Sequence, residues 1–344
     1  MNKDEYLNRL SHKLNELNID GKEEILNDFT NHFEIGHENG LSDEELIENL
    51  GSIEELLESF ESLSKQEKIT IDHKNQTKEF KDKITKVIVQ ARHANTRLTH
   101  SVDEGFHVDL QKDGKLPERL NHTLVAYQEE DTFFVNVLPI FPYKTHGDYE
   151  LTIQVPKNLN KIQLNSSSGD LNASELMIHQ IEIQSASGDI HLKDIHTNQI
   201  KMEVASSDVH IHKLSGDCEI RSANGDVRIS KSFGKNLIYN NASGDLEIDA
   251  DYLNIKLNNV SGDINAEFKT VNQLNVNTTS GDLNIRIDNT DHLRIETHSL
   301  SGDCDVYLKG EELMSEPNKT ITLGEPHTQI KLNTLSGDIH LDMA

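Results

Sequence analysis

The tripeptide Ser-Gly-Asp recurs through the second half of the chain, and its spacing restricts the fold more than any other feature. The corners are Ser168-Gly169-Asp170, Ser187-Gly188-Asp189, Ser206-Ser207-Asp208, Asn224-Gly225-Asp226, Ser243-Gly244-Asp245, Ser261-Gly262-Asp263, Ser280-Gly281-Asp282, Ser301-Gly302-Asp303 and Ser336-Gly337-Asp338. Their middle residues step by 19, 19, 18, 19, 18, 19, 21 and 35, the last interval holding the insertion "KGEELMSEPNKTITLGEPHT". A fixed period of this size marks an array of structural repeats in which each unit contacts its neighbours.

The register inside each repeat sets the strand type. Six residues before each corner stand Ile162, Ile181, Ile200, Cys218, Leu237, Ile255, Leu274, Ile295 and Ile330. Four before stand Leu164, Ile183, Met202, Ile220, Tyr239, Leu257, Val276, Thr297 and Leu332. Directly after the Asp come Leu171, Ile190, Val209, Val227, Leu246, Ile264, Leu283, Cys304 and Ile339. The alternating positions are mostly polar, with Ile238 an exception. Period-two alternation buries one face of each strand. A meander of hairpins needs turn signals at both strand ends, and here only one corner is sharply marked. The expected fold is mostly β: a parallel β-solenoid of about 18–19 residues per coil, its coils stacked at roughly 4.8 Å.

The corner residues have separate jobs. Glycine accepts φ > 0 without a Cβ clash. The Asp or Ser side chain can bond a backbone N–H left free at the bend. Ser207, lacking that freedom, must accept strain or bend differently. Ser215-Gly216-Asp217 lies half a coil out of phase and reads as an ordinary turn. Three before the corners run Asn165, Gln184, Glu203, Arg221, Asn240, Asn258, Asn277, His298 and Asn333. Stacked amides in such a row can bond along the column. Glu182, Lys201 and Glu219, five before, alternate in sign as neighbouring strands favour.

Upstream, "KVIVQARHANTRLTHS", "GFHVDLQ", "HTLVAYQ", "TFFVNVLPI" and "DYELTIQVPKNLN" read as strands at the start of the array. The expected organisation is an acidic helical domain over residues 1–62, a polar linker over 63–85 and the repeat domain over 86–344. In the first of these, Leu7, Leu10, Leu14 and Leu17 make one apolar stripe, and Ile25, Phe29 and Phe33 another ahead of Gly40. Ser42 with Glu45 has capping-box spacing before a stop at Gly51, and Ser52 with Glu55 repeats it. Such short helices need each other's apolar faces. Residues 1–74 carry 19 acidic and 7 basic side chains, a balance of −12. That charge fits a solvated outer face or a dock for a basic partner.

The segments "MNKDEYLNRL", "NDFTNHFEIGHENG" and "SDEELIENLGS" resemble the HAAS-type helical signalling domain of bacteria over about 60 residues. The pattern departs at Asn18, Ile19 and Asp20, and again at Ile53, where the family often has proline. Residues from about 80 to the end, through "LTIQVPKNLNKIQLNSSSGDLN" and the repeats after it, resemble the bacterial β-strand-repeat family named "putative adhesin", a domain of unknown function. That resemblance implies a parallel β-solenoid, brings no catalytic residues and, for some members, implies a link to envelope stress.

Charge and composition narrow the function. The formal net charge of −26 speaks against nucleic acid and against an anionic lipid surface as partners. The N-terminus lacks an apolar signal-peptide core, and no run of 18 apolar residues appears, so no transmembrane segment is expected. Cys218 and Cys304 make no disulfide framework and, lying in inward rows, read as small core residues. Together these predict a cytoplasmic protein.

The sequence offers little chemistry. Asp170, Asp189, Asp208, Asp226, Asp245, Asp263, Asp282, Asp303 and Asp338 are weak metal candidates: in line, they could share cations, but one carboxylate per coil is thin for calcium. Turn capping is the favoured role for them, with Gly169, Gly188, Gly225, Gly244, Gly262, Gly281, Gly302 and Gly337 as structural corners. His191 and His210 should stack, with His212 nearby, yet zinc needs three or four placed ligands. No nucleophile elbow, phosphate loop or zinc-protease helix occurs, and no cofactor is called for. The favoured expectation is a non-enzymatic regulatory or scaffold protein, its head docking a protein partner. The alternatives are a surface adhesin or glycan-binding module, and a carbohydrate-active β-helix enzyme using groove carboxylates. The oligomeric state is left open.

Overall fold

The computed structural model describes residues 2–16, 26, 30, 33, 37, 42–50, 53, 84–112, 124–137, 149–288 and 292–344. Most of these are β. The described strands, of which β1 (Lys86–Arg92) is first in chain order, link into one open 22-stranded sheet.

Two helices are described near the N-terminus, α1 (Lys3–Glu16) and α2 (Asp43–Leu50). Asn2 caps α1, its Oδ1 accepting from the Glu5 N–H at 2.9 Å. Tyr6, Leu10, Phe33, Leu46 and Ile53 are buried, and the Tyr6 and Phe33 rings meet edge-on at 5.8 Å. The Lys3 N–H donates to Asp43 and ties the two helix starts together. That bond, with help from His37, holds the Asp43 carboxyl below its ordinary value. The expected positions Leu17, Ile25, Phe29, Gly40, Gly51, Ser52 and Glu55, and the side chains of Leu14 and Glu45, lie outside the described residues.

In the repeats, two strand segments flank each sharp corner, and each pairs in parallel with the same segment of another repeat. β9 (Gln180–Ser187), β10 (Ile190–Ser206), β11 (Val209–Asn224), β12 (Val227–Ser243) and β13 (Leu246–Ser261) show the pattern. Ile181, Ile200, Cys218, Leu237 and Ile255 stand in register across them. So do Ile190, Val209, Val227 and Leu246. Every residue of the three predicted inward rows is buried, Thr297 included. These aliphatic columns form one continuous hydrophobic core with the upstream strands.

The chain departs from sequence order at both ends. After β15 (Gln273–Ser280) and β16 (Leu283–Ile287), the next repeat forms β17 (Leu293–Ser301) and β18 (Cys304–Leu308), but these do not pair with β15 and β16. The last repeat, β21 (Thr328–Ser336) and β22 (Ile339–Met343), lies between them. Corner Ser336-Gly337-Asp338 therefore precedes corner Ser301-Gly302-Asp303 in space, which corrects a stack built in simple chain order. The insertion folds outward: β19 (Glu311–Met314) runs antiparallel to β18, and β20 (Lys319–Thr322) antiparallel to β17. Lys309 and Gly310, both at positive φ, make the tight turn into β19.

The N-terminal end repeats this plan with the chain direction reversed. β1 lies between β5 (Thr132–Val137) and β7 (Lys161–Ser166). β2 (Asn95–His100) lies between β6 (Tyr149–Val155) and β8 (Leu171–Met177). Outermost are antiparallel strands, β4 (Leu124–Glu129) on β5 and β3 (His107–Lys112) on β6. An open edge offers unpaired N–H and C=O groups to any passing strand. Placing the first and last repeats one rung inside, under antiparallel covers, holds each from both sides.

Candidate functional site

The corners stack into one column. All eight corner glycines have φ between +92° and +138°. A second constraint adds to φ: a Cβ on Gly244 would clash with the carbonyl oxygen of Gly225, and one on Gly262 with that of Gly244. Each corner leaves only backbone width for the next.

The Asp side chains bond between repeats rather than within the bend. The Asp226 N–H donates to Asp208 Oδ1, Asp245 to Asp226, Asp263 to Asp245 and Asp282 to Asp263, each at 2.8 Å. Asp338 then donates to Asp282 at 2.9 Å and Asp303 to Asp338 at 2.8 Å, following spatial order. At the other end Asp189 donates to Asp170, and Asp170 to Asn95 Oδ1, both at 2.9 Å. Asn95 thus starts the ladder from a corner, Ala94-Asn95, that the sequence did not mark. Ser207 keeps φ negative and turns its side chain inward, 3% exposed. There the Asp208 N–H reaches Asp189 only at 3.4 Å, the longest step in the column.

A further column was missed: two before each corner except Ser206-Ser207-Asp208, where Val204 stands, the residue is small and polar, and most of these side chains turn inward. Ser185, Asn241, Asn259, Thr278, Ser299 and Thr334 are all buried. The Ser185 hydroxyl donates to the Ser187 carbonyl, and the Asn259 amide to the carbonyls of Gly244 and Gly262. The signal was present, since these positions break the apolar alternation just before every Gly.

The opposite corner uses other means. Glu175, Asp194, Lys213 and Lys231 take φ of +50° to +60° without glycine. The Lys213 ammonium bonds Asp194 at 3.0 Å and holds its carboxyl below the ordinary value. Ser215-Gly216-Asp217 does more than an ordinary turn. Asp217 Oδ1 accepts from the Lys235 and Asn236 N–H groups, both at 3.0 Å, and its Oδ2 from the Asn236 amide at 2.7 Å.

The outer faces carry ordered polar rows beside exposed apolar side chains such as Phe233, Val260, Leu300 and Leu335. Asn258 donates to Asn240, Asn277 to Asn258 and Asn333 to Asn277, at 2.7, 2.8 and 2.9 Å. The expected alternation of charge resolves differently: Lys201 pairs with Glu203 and Arg221 with Glu219, both along one strand, while Lys161 bonds Glu182 across strands. Lys331 and Arg294 together hold the Glu296 carboxyl below its ordinary value. His191 and His210 stack at 5.0 Å with 7° between planes, and His212 Nδ1 lies 2.9 Å from the Ser230 hydroxyl. A shallow groove crosses the strands after the corners, where Glu247, Asp249, Glu267, Arg286, His340 and Asp342 meet.

Among the described residues, no group of three or more His, Cys, Asp or Glu side chains is placed to hold a metal ion. Cys218 and Cys304 are free, buried thiols, and burial pushes Cys218 up to about 12. No described helix is long and apolar enough to cross a membrane.

Comparison with known proteins adds a family. The pattern of the family described as Toastrack DUF4097 matches residues 66–342. No curated protein matches the chain. Three solved structures are similar to it. A "putative lipid binding protein" from Parabacteroides distasonis is 15% identical, with TM-score 0.48 over 76% of this chain and 94% of that one. A "putative adhesin" from Bacteroides fragilis is 13% identical, with TM-score 0.40 over 76% and 93%. A "putative cell adhesion protein" from Clostridium sporogenes is 9% identical, with TM-score 0.26 over 76% and 93%.

Proposed function

The chain belongs to the Toastrack DUF4097 family, and from that premise we propose that it is a non-enzymatic binding scaffold. The repeat domain, 86–344, is read as a parallel β-solenoid that presents a long polar surface. One observation carries this reading: the outward amide row and the corner carboxylates are committed to one another and to the backbone of the next rung. Asn240, Asn258, Asn277 and Asn333 form an amide ladder, and the corner carboxylates cap backbone N–H groups of the next rung. Groups tied up in this way make a rigid recognition surface and poor acids, bases or nucleophiles.

The acidic head, 1–62, is read as the dock for a protein partner, joined through 63–85 and acting in envelope-stress signalling in the cytoplasm. Its balance of charge and its HAAS-like pattern support this. In-cell crosslinking of the full chain should capture a specific protein that a chain lacking residues 1–62 fails to capture. Equal capture by both would remove the head from the function.

A second reading, an adhesin or glycan-binding module, is favoured by the groove. Carboxylates, the Asn265 and Asn284 amides and Arg286 meet there in a pattern suited to hydroxyl-rich ligands. Binding to a glycan panel, lost in Arg286→Ala, together with recovery of the protein at the cell surface, would raise this reading above the first.

A further inference from the structure

The strands that follow the corners put two rows of side chains outward, and the two halves of this face differ in charge. From β8 to β12 the rows carry no carboxylate: Asn172 and Ser174, His191 and Lys193, His210 and His212, then Arg228 and Ser230. The next rungs are acidic, with Glu247 and Asp249 followed by Asn265 and Glu267. In a chain of net charge −26, two rows without carboxylates, lying between the corner Asp column and Glu175 and Asp194, are where a like molecule can approach. The boundary is closed by Arg228, whose Nε donates to Glu247 at 2.7 Å.

We propose that this face is the contact between two copies of the chain, arranged about a two-fold axis through the Arg228 rung. The register fixes what meets what. One rung either side of the axis, His212 faces Asp249 of the second copy and His210 faces its Glu247. Two rungs away, Lys193 faces its Glu267. Arg228 lies opposite its own symmetry mate, with its charge already countered by Glu247 in the same chain. A two-fold arrangement makes every contact occur twice, which is how a self-complementary patch closes. Other rotations fare worse: an axis along the stack sets His191 against Lys193.

The expected contact is small. Seven rungs at about 4.8 Å, two side chains wide, cover roughly 500 Å² per copy, below the ~800 Å² per partner of a standard interface. The dimer should therefore be reversible and sensitive to salt, which screens exposed charges within about 8 Å at physiological ionic strength. The inference goes beyond the scaffold reading and holds or falls without it.

Sedimentation velocity of the full chain over a range of concentrations, at 50 and 500 mM salt, tests it. A concentration-dependent dimer is expected at low salt, weakened about tenfold or more at high salt. K193E and E267K should each weaken it by a similar factor, roughly tenfold, by setting like charges opposite one another. The double variant K193E/E267K restores opposite charges across the axis and should recover most of the affinity. Both positions are exposed, and circular dichroism checks that the variants fold. A monomer throughout, a dimer indifferent to K193E, or a double variant that stays weak would each overturn the proposal.

Discussion

The two bends of each repeat solve the same geometric problem with different chemistry. The sharp corner is the same at every rung but that of Ser207, with glycine at positive φ, a neighbouring carbonyl where a Cβ would stand, and an Asp reaching the next N–H. The opposite bend varies. It uses Glu175, Asp194, Lys213 or Lys231 at positive φ, and at one place Gly216 with Asp217. The lesson is that φ alone does not demand glycine. A lysine tolerates positive φ at modest cost when its side chain has open space, whereas contact with the next rung's backbone excludes any side chain.

That contrast can be broken most severely at Gly244. Gly244→Ala places a methyl against the Gly225 carbonyl, so the corner must move with its neighbours. We expect a loss of about 3 kcal/mol or more, measured by denaturant unfolding, and a loss near zero would refute the close-approach argument. Asp217→Ala comes next. It removes three hydrogen bonds at the loose bend and should cost about 2 kcal/mol, which would show that a loose bend can hold as firmly as a sharp one.

Asp245→Ala removes one acceptor from the regular ladder and should cost about 1 kcal/mol. Asp189→Ala should cost less, because the Asp208 N–H is already 3.4 Å away beside the irregular Ser207. Equal losses at the two sites would mean the ladder bonds carry no differential weight. The smallest effect is expected for Lys213→Gly, within about 1 kcal/mol of neutral. Relief of positive φ there offsets the added backbone freedom of glycine in the unfolded chain.

The repeat region was legible because three rows of aliphatics keep phase with one tripeptide. Burial of Ile162 through Ile330, Leu164 through Leu332 and Leu171 through Ile339 follows from period-two alternation alone. The amide ladder was legible too, from Asn240, Asn258, Asn277 and Asn333 at one offset. Spatial order at the ends was not. Identical corners stack equally well in either order, so nothing in Ser301-Gly302-Asp303 says that Ser336-Gly337-Asp338 comes first. The hint lay in the insertion, since Lys309-Gly310 signals a hairpin and a hairpin on the last rung must fold outward. Asn95 was hidden because its corner has Ala94 where all the others but Ser207 have Gly. The docking role proposed for residues 1–62 rests on pattern and charge, which specify a surface but not its ligand.

The order of the rungs is the central claim, and paired cysteines test it most directly. Asn277 and Asn333 lie opposite one another in neighbouring strands, while His298 sits one strand further out. Disulfides need Cα atoms within about 7 Å, and second neighbours in a sheet stand about 9.6 Å apart. Mild oxidation should link Asn277→Cys to Asn333→Cys and leave Asn277→Cys with His298→Cys unlinked. The reverse result, a bond from 277 to 298 and none from 277 to 333, would mean that the repeats stack in chain order and that the end architecture described above is wrong.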